Sequence, residues 1–438
     1  MRDAVIPRRH HVRSRGKVKT HVKARVWENL YQSMDMPRVD PVVTGFNANI
    51  DRVITVTPDV LRSLEHLRVK GSDTILGQLK QSMSSCSAGE LFIKDPSAFL
   101  TLSEPFSGSG TLSIGGQAGI AATHLKSLGV TPVTCAVPGA GPGTRGMLRD
   151  AGVIPLTFEP GSDNPRDMTH LVFEFSPGPV PPADNVIPRN NRFIVSPLHD
   201  ASTVLIPDAY LDPFLQQIAP CRRAFLSGYQ YLRTEQEFMA AAGQARKIRG
   251  VHPLMRTHAE CVSGADPRVM AMMLRYIFPV CDSIGLNEQE LGLFIRTLQP
   301  VDQISGVLPP STPADCVRDA IALADATGVP RVHFHTFGYY FLVLEAGAPS
   351  PESSRNALLV AARATATAAG GDGQVLSREG LLAYESVRGV LGKEESPGIF
   401  RDADRVVVFI PTYISRNIRK TAGLGDILSS TAFVTDPF

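Results

Sequence analysis

Cysteine is sparse and scattered in this sequence, which argues against two classes of protein. None of the six cysteines forms a CxxC pair, the spacing typical of structural zinc sites, and six are too few for a disulfide-dense domain. The cysteines are Cys86, Cys135, Cys221, Cys261, Cys281 and Cys316. We therefore expect reduced thiols and a cytoplasmic location.

A long apolar run and a strong net charge are also missing. No apolar stretch approaches the roughly 20 residues that a membrane helix needs. The basic N-terminus is not followed by the apolar core of a signal peptide. The formal net charge is only +2, so the chain has no general attraction to nucleic acid. We expect a soluble, unexported protein that binds neither membranes nor nucleic acid.

One local excess of charge lies at the N-terminus, where only Asp3 is acidic. The basic residues there are Arg2, Arg8, Arg9, Arg13, Arg15, Lys17, Lys19, Lys23 and Arg25. Such an arm is able to bind phosphate or an acidic partner. No aromatic residue lies within the first basic run, which favours a solvated leader followed by a helix from Lys19 to Met34.

The order of apolar segments predicts an α/β fold. A chain of 438 residues is long enough for one large domain and a smaller one. Residues 42–46 are a candidate buried strand, and helical patterns dominate from 58 to 100. Further strand candidates are 224–226, 280–285, 332–335, 340–344 and 406–410, and an alanine-rich helix is expected over 356–371. Their alternation with helices is typical of a largely parallel, doubly wound sheet.

Near the C-terminus, the sequence Gly423-Leu424-Gly425-Asp426 precedes a helical pattern. A glycine turn at a helix start presents unpaired amide N–H groups and the positive end of the helix dipole, which suit a phosphate oxygen. Asp426 could accept the proton of an attacking hydroxyl. The alternative is an aspartate that only caps the helix.

Two acidic clusters follow candidate strands. One contains His258 and Glu260, and the other contains Asn287, Glu288 and Glu290. Oxygen ligands at strand ends suit Mg²⁺ beside phosphate groups. Considered separately, His258 and Glu260 are better explained as surface residues, and Glu288 and Glu290 as a charged first helical turn.

Taken together in order, these motifs resemble those of the ADP-dependent sugar kinases, the archaeal glucokinase and phosphofructokinase branch of the ribokinase-like superfamily. The three motifs of that family are HxE, NxxE and GxGD, and all stand intact at His258/Glu260, Asn287/Glu290 and Gly423/Gly425/Asp426. The other matching segments are 47–51, 115–119, 170–175, 191–194 and 227–230.

The resemblance implies a large nucleotide-binding α/β domain and a smaller α/β lid. It places residues 1–51, 111–157 and 198–438 in the large domain, and residues 52–110 and 158–197 in the lid. Oligomeric state does not follow from the sequence, although a monomer fits it.

The resemblance also assigns roles around the nucleotide. Asp426 would be the catalytic base, with the amides of Gly423, Leu424 and Gly425 around the moving phosphoryl group. Glu260, Glu290 and Asp426 would organise Mg²⁺. Arg192 would reach the phosphates of ADP, and His335 lies in a segment near the adenine side.

For the sugar, the resemblance implies a pocket around Asp51. Its other residues would be Asn49, Glu90, Gly115, Gly116, Gln117 and His170. Glu90 and His170 favour glucose, because a carboxylate would repel the phosphate of fructose 6-phosphate. Arg166, Arg189 and Arg192 keep phosphofructokinase or dual activity open as alternatives. A non-catalytic, sugar-binding relative is a further alternative, against which the intact acidic residues argue.

Overall fold

The computed structural model describes residues 24–67, 72–156, 158, 167–179, 186–198, 204–262, 266–298, 312–348, 350–371, 373–402 and 404–438. Arg166 and the basic arm up to residue 23 lie outside the described residues. Residues 24–32 are helical, and they bury Trp27 and Tyr31 against the large domain.

An eleven-stranded sheet forms the centre of the larger part of the molecule. In spatial order its strands are Glu394–Ser396, Ile399–Asp402, Arg405–Pro411, Tyr339–Glu345, Arg331–His335, Ser283–Asn287, Arg256–Glu260, Arg223–Leu226, Val42–Gly45, Val133–Ala136 and Ile154–Leu156. Pairing is parallel from Arg331–His335 to Ile154–Leu156 and antiparallel across the remaining strands. The predicted α/β class is confirmed, and so are the predicted strands except that the one expected over 280–285 begins later, at Ser283, and ends at Asn287, because Phe278–Val280 forms a 3-10 turn.

Apolar strand sequences explain why this sheet lies in the core. Val42–Gly45 is buried at every residue, and Arg405–Pro411 at every residue after the first. Strands buried in this way need helices on both faces of the sheet. The main helices of this part are Gln117–Ser127, Pro142–Asp150, Asp208–Gln217, Glu235–Gly250, Glu288–Leu298, Pro313–Thr327, Pro351–Gly370, Arg378–Arg388 and Leu424–Thr435.

Two of these helices determine where the glycine turn lies. The alanine-rich helix Pro351–Gly370, predicted from the sequence, packs along the C-terminal helix Leu424–Thr435. Small side chains allow this close approach. The C-terminal helix also contacts Gln117–Ser127, so its first turn faces the carboxyl ends of the parallel strands.

A second sheet of five strands forms the smaller part. Its spatial order is Gly89–Ile93, Asn191–Pro197, Thr169–Phe175, Asn49–Thr55 and Thr111–Gly115. The helices Pro58–His66, Ser72–Ser85 and Pro96–Ser103 accompany this sheet, and a separate apolar core that includes Leu79 and Phe173 fills the space between them.

The small sheet reaches further than the sequence analysis placed it. Residues 49–51 and 111–115 pair within it, although both segments were assigned to the large domain. The reason is that Asn49–Thr55 follows the large-sheet strand Val42–Gly45 after only three residues. The strand Gly89–Ile93 also interrupts the stretch from 58 to 100 that was expected to be mainly helical.

None of the described helices is long and apolar enough to cross a membrane.

Candidate active site

The glycine turn fits tightly between two side chains. Gly423 has a φ of 72°, and a Cβ there would lie 2.7 Å from Cδ1 of Ile120. A Cβ on Gly425 would lie 2.9 Å from Nε2 of His335. Both glycines therefore let the backbone approach its neighbours, with Leu424 as the first residue of the helix.

Asp426 lies in the first turn of this helix, as the sequence predicted. Burial raises the pKa of its carboxyl to about 7, against the lowering effects of Arg192 and Lys420, while Asp51 raises it further. A hydrogen bond from Gln117 favours the charged form. Gln117 also donates from Nε2 to the carbonyl oxygen of Cys261 at 2.8 Å, so its amide is fixed in orientation.

The pocket around Asp51 is built from the first residues of one small-sheet strand and the last of its neighbour. Asn49 donates from Nδ2 to Oδ1 of Asp51 at 2.7 Å. A Cβ on Gly115 would lie 2.0 Å from the same oxygen, and one on Gly116, whose φ is 71°, would lie 2.8 Å from Oδ1 of Asn49. Burial raises the pKa of Asp51 to about 6, although Asn49 lowers it.

Glu90 reaches this pocket from an edge strand of the small sheet. Ser196 donates its hydroxyl to Oε1 of Glu90 at 2.7 Å and lies 3.1 Å from Nδ1 of His170. Burial raises the pKa of Glu90 to about 7, and the nearby charge of Asp51 raises it further. Two carboxyl groups thus lie near each other away from water, and burial opposes the ionisation of both.

Arg192 connects the two halves of the site. Burial lowers its pKa, and the opposing charges are, in decreasing order, those of Asp426, Glu174, Glu90 and Asp51. Within the described residues its Nε has no hydrogen-bond partner. A buried guanidinium with an unused donor is suited to an anionic ligand such as a phosphate.

The HxE motif is part of a buried hydrogen-bond chain. Nε2 of His258 lies 2.8 Å from Oε2 of Glu260, and Nδ1 lies 2.8 Å from the hydroxyl of Ser283. Arg331 donates to that hydroxyl at 2.8 Å and pairs with Asp436 at 3.0 Å. Burial lowers the pKa of His258, so the ring is neutral.

The NxxE motif has a structural role as well as a charge. Glu290 accepts the backbone N–H of Asn287 at 2.8 Å, and Oδ1 of Asn287 accepts the backbone N–H of Glu290 at 3.1 Å. This reciprocal arrangement caps the helix Glu288–Leu298. It leaves Glu290 only 3% exposed and fixes its orientation.

The acidic residues of these motifs are close enough to repel each other. Burial raises the pKa of Glu260 well above its usual value, and the charges of Asp426 and Glu290 raise it further. Repelling carboxylates of this kind fit a divalent cation. In the described part of the chain, no group of three or more such side chains is placed to ligate a metal directly.

His335 lies beneath the glycine turn rather than at the surface. Burial lowers its pKa to about 4, so the ring is neutral. Nδ1 of the nearby His333 lies 3.1 Å from the hydroxyl oxygen of Ser429 in the C-terminal helix. The two histidines therefore pack against the glycine turn and the helix that follows it.

Sequence reasoning missed two polar residues of this site, Ser196 and Glu174. Each acts through a partner distant in the chain. Glu174 lies in the matching segment 170–175 but was given no role there, and Ser196 lies outside the matching segments. Lys420, in the basic loop that precedes the glycine turn, is one of two cations that lower the pKa of both Asp426 and Asp51.

Solved structures share this fold. An ADP-dependent kinase in complex with fructose 6-phosphate and ADPβS superposes with a TM-score of 0.79 at 22% identity, covering 97% of this chain and 98% of that one. An ADP-dependent phosphofructokinase representing the last common ancestor in Methanosarcinales superposes with a TM-score of 0.72 at 21% identity, covering 96% and 98%.

Characterised sequences are similar over most of their length. The ADP-dependent glucose/glucosamine kinase of Pyrococcus furiosus is 28% identical over 93% of this chain and 98% of its own. The ADP-specific phosphofructokinase of Pyrococcus abyssi is 26% identical over 74% of this chain and 77% of its own. The conserved region of ADP-specific phosphofructokinases and glucokinases matches residues 40–435. The chain therefore belongs to this family and is an ADP-dependent sugar kinase.

Proposed function

We propose that this kinase transfers the terminal phosphoryl group of ADP to glucose and forms glucose 6-phosphate, with fructose 6-phosphate as the poorer acceptor. The observation that carries the proposal is the position of Glu90. Its carboxyl group is buried beside Asp51 and held by Ser196. Above the pKa values of about 6 and about 7, the ionised carboxylates of Asp51 and Glu90 would repel a sugar phosphate, whereas neutral glucose would supply hydroxyl donors to both.

In this proposal Asp426 takes the proton of the attacking hydroxyl. Its pKa, raised to about 7, matches that task better than an ordinary aspartate would. The N–H groups of residues 423–425 begin a helix and would stabilise charge on the phosphoryl group. Arg192, with its unused Nε, would bind the phosphates of ADP. His335 would lie on the nucleotide side of the site and would hold the glycine turn in place by packing against Gly425.

Mg²⁺ would be organised by Glu260 and Glu290 together with Asp426. When bound, the ion neutralises charge on the phosphate oxygens. Glu290 is oriented by its bonds with Asn287, and Glu260 by its contact with His258. These residues would act mostly through water, since Mg²⁺ gives up its waters reluctantly.

The small sheet with its helices would serve as the lid. Its described strands and helices come from the two insertions predicted from the sequence, and the strand residues 49–51 and 111–115 belong to the same sheet. It contributes Asp51, Glu90 and Arg192, whereas the large domain contributes Asp426. Closure would exclude water and bring the sugar hydroxyl in line with ADP.

Phosphorylation of fructose 6-phosphate is the second candidate. It is favoured by the cations Arg189 and Arg192 in the same part of the small sheet, and several relatives are named phosphofructokinases. Arg189 lies over the ring of Phe337 at 5.1 Å, which makes it less free to bind a phosphate.

Initial rates with Mg²⁺ in a grid of ADP and ATP against glucose and fructose 6-phosphate would test the proposal. We expect activity with ADP and a higher kcat/KM for glucose. Glu90→Ala should shift that ratio toward fructose 6-phosphate, while Glu104→Ala, at a glutamate elsewhere in the small domain, should leave it unchanged. A higher kcat/KM for fructose 6-phosphate in the parent enzyme would overturn the assignment of glucose.

A further inference from the structure

Glu174 lies at the meeting point of the two sheets. It is the penultimate residue of the strand Thr169–Phe175 and stands directly opposite Arg192 in the antiparallel pair. Its charge is the second largest of those that favour the charged form of Arg192. Glu174 is therefore one of the carboxylates, after Asp426, that offset the charge of Arg192.

The same carboxylate also binds the large domain. Oε1 of Glu174 accepts the hydroxyl of Thr421 at 3.0 Å and the backbone N–H of Thr421 at 3.3 Å. Thr421 precedes Gly423 by two residues. A single side chain thus holds the segment that leads into the glycine turn.

Two further contacts join the same regions. Asn190 donates from Nδ2 to the carbonyl oxygen of Ile418 at 3.2 Å, and the guanidinium of Arg189 lies 5.1 Å from the ring centroid of Phe337. Neither contact reaches a charged group of the site. Of the residues that make these three contacts, Glu174 is the one that both binds the segment before the glycine turn and lies directly opposite Arg192.

We infer that Glu174 is a positioning residue that aligns Arg192 and the glycine turn with each other when the two domains close. This inference rests on the proposed function to the extent that the small domain acts as the lid and Arg192 binds phosphate. Physically, the two hydrogen bonds to Thr421 hold the segment before the glycine turn against the small sheet, and the strand pairing keeps Arg192 directly opposite Glu174. The terminal phosphate of ADP then meets donors from both domains in one arrangement.

The test compares nucleotides that differ by that phosphate. Binding of ADP and of AMP, each with Mg²⁺ and without sugar, would be measured by calorimetry for the parent, Glu174→Ala, Glu174→Gln and Thr421→Val. We expect Glu174→Ala to weaken ADP binding roughly tenfold or more, because it removes hydrogen bonds to a charged group, while AMP binding is unchanged. Glu174→Gln, which keeps an acceptor for Thr421, should lose less.

Glu345→Ala provides the matched control, since Glu345 is an exposed glutamate at the end of a large-sheet strand. Small-angle scattering with ADP should show a less compact Glu174→Ala protein than the parent. Equal losses for ADP and AMP, or no loss for either, would overturn the inference. If Glu174→Ala fails to fold, Thr421→Val decides by the same comparison, with a selective loss of ADP binding expected.

These measurements need no turnover. A parent enzyme that binds ADP and becomes compact but does not phosphorylate glucose would contradict the proposed sugar and leave the result on Glu174 intact.

Discussion

At the scale of single residues, the charge of Asp426 is decided by competition. Removal from water opposes ionisation, while Arg192 and Lys420 favour it, and the outcome is a pKa of about 7. A carboxyl group with this pKa changes its protonation state near neutral pH. Its activity as a base should therefore depend on pH and on each neighbouring cation.

The dependence on pH is testable through Lys420. A base works only when deprotonated, so kcat/KM should fall as the pH drops below about 7. Lys420→Gln removes a charge that lowers this pKa, and the acidic limb of the profile should move to higher pH. Arg416→Gln, at an exposed arginine of the same loop, should leave the limb in place. An unshifted limb in Lys420→Gln would contradict the assignment of Asp426 as the titrating base.

Removing the base itself should separate chemistry from binding. Asp426→Asn should lower kcat by about 10²–10⁴-fold, the usual contribution of a general base. ADP should bind at least as tightly, because an amide removes a negative charge near the phosphates. Rapid kinetics and calorimetry measure the two effects, with Asp404→Asn as an exposed control. Near-normal turnover of Asp426→Asn would rule out its role as base.

At the scale of elements, the helix Glu288–Leu298 combines a structural and an electrostatic role in one residue. Glu290 caps the helix through its hydrogen bonds with Asn287, and its negative charge raises the pKa of Glu260. The NxxE motif predicted the negative charge of Glu290 at this position. Because the same spacing also matches a capping box, the motif did not show whether Glu290 has one role or both. Only the hydrogen bonds reveal that both roles apply.

The two roles of Glu290 respond differently to substitution. Glu290→Gln keeps an acceptor for the Asn287 N–H, so the free energy of unfolding should change by less than about 1 kcal/mol. The loss of charge should raise the Mg²⁺ concentration for half-maximal rate several-fold. Glu288→Gln, at an exposed neighbour, should alter neither quantity. An unchanged Mg²⁺ titration would count against a role for Glu290 in organising the metal.

Elements were predictable where the local sequence decides them. The apolar strands and the glycine turn follow from residue type and spacing. The strand Gly89–Ile93 was hidden because its residues are all half-buried and follow no clear alternation. The contact of Glu174 with Thr421 spans 247 positions, and the position of Ser196 beside Glu90 depends on strand register. Such pairings arise from tertiary structure and leave no local trace.

At the scale of the whole molecule, one buried ion pair joins distant parts of the large domain. Asp436 pairs with Arg331 and accepts the hydroxyl of Ser354 at 2.8 Å, and its carbonyl oxygen accepts from Arg223 at 2.8 Å. Arg331 and Asp436 are essentially inaccessible to water. The pair ties the end of the C-terminal helix to the sheet and, through Ser283, to His258.

Breaking that pair should be costly. Asp436→Asn leaves the charge of Arg331 buried without a counterion, which typically costs about 3–5 kcal/mol. Ser354→Ala removes one hydrogen bond to the same carboxylate and should cost about 1 kcal/mol. Urea denaturation gives the free energy of unfolding for both variants. A cost for Asp436→Asn no larger than that for Ser354→Ala would contradict this account.

The chain leaves the large sheet at Gly45 and enters the small sheet at Asn49, with only three residues between the two strands. Asn49, Asp51, Gly115 and Gly116 all lie where the chain passes between the sheets. Under the proposed function, a sugar bound beside these residues would contact both places where the chain crosses from one sheet to the other. Substitutions that change the sugar specificity at these residues should therefore also change how the two domains move relative to each other. Variants selected for specificity alone should show altered rates of domain opening.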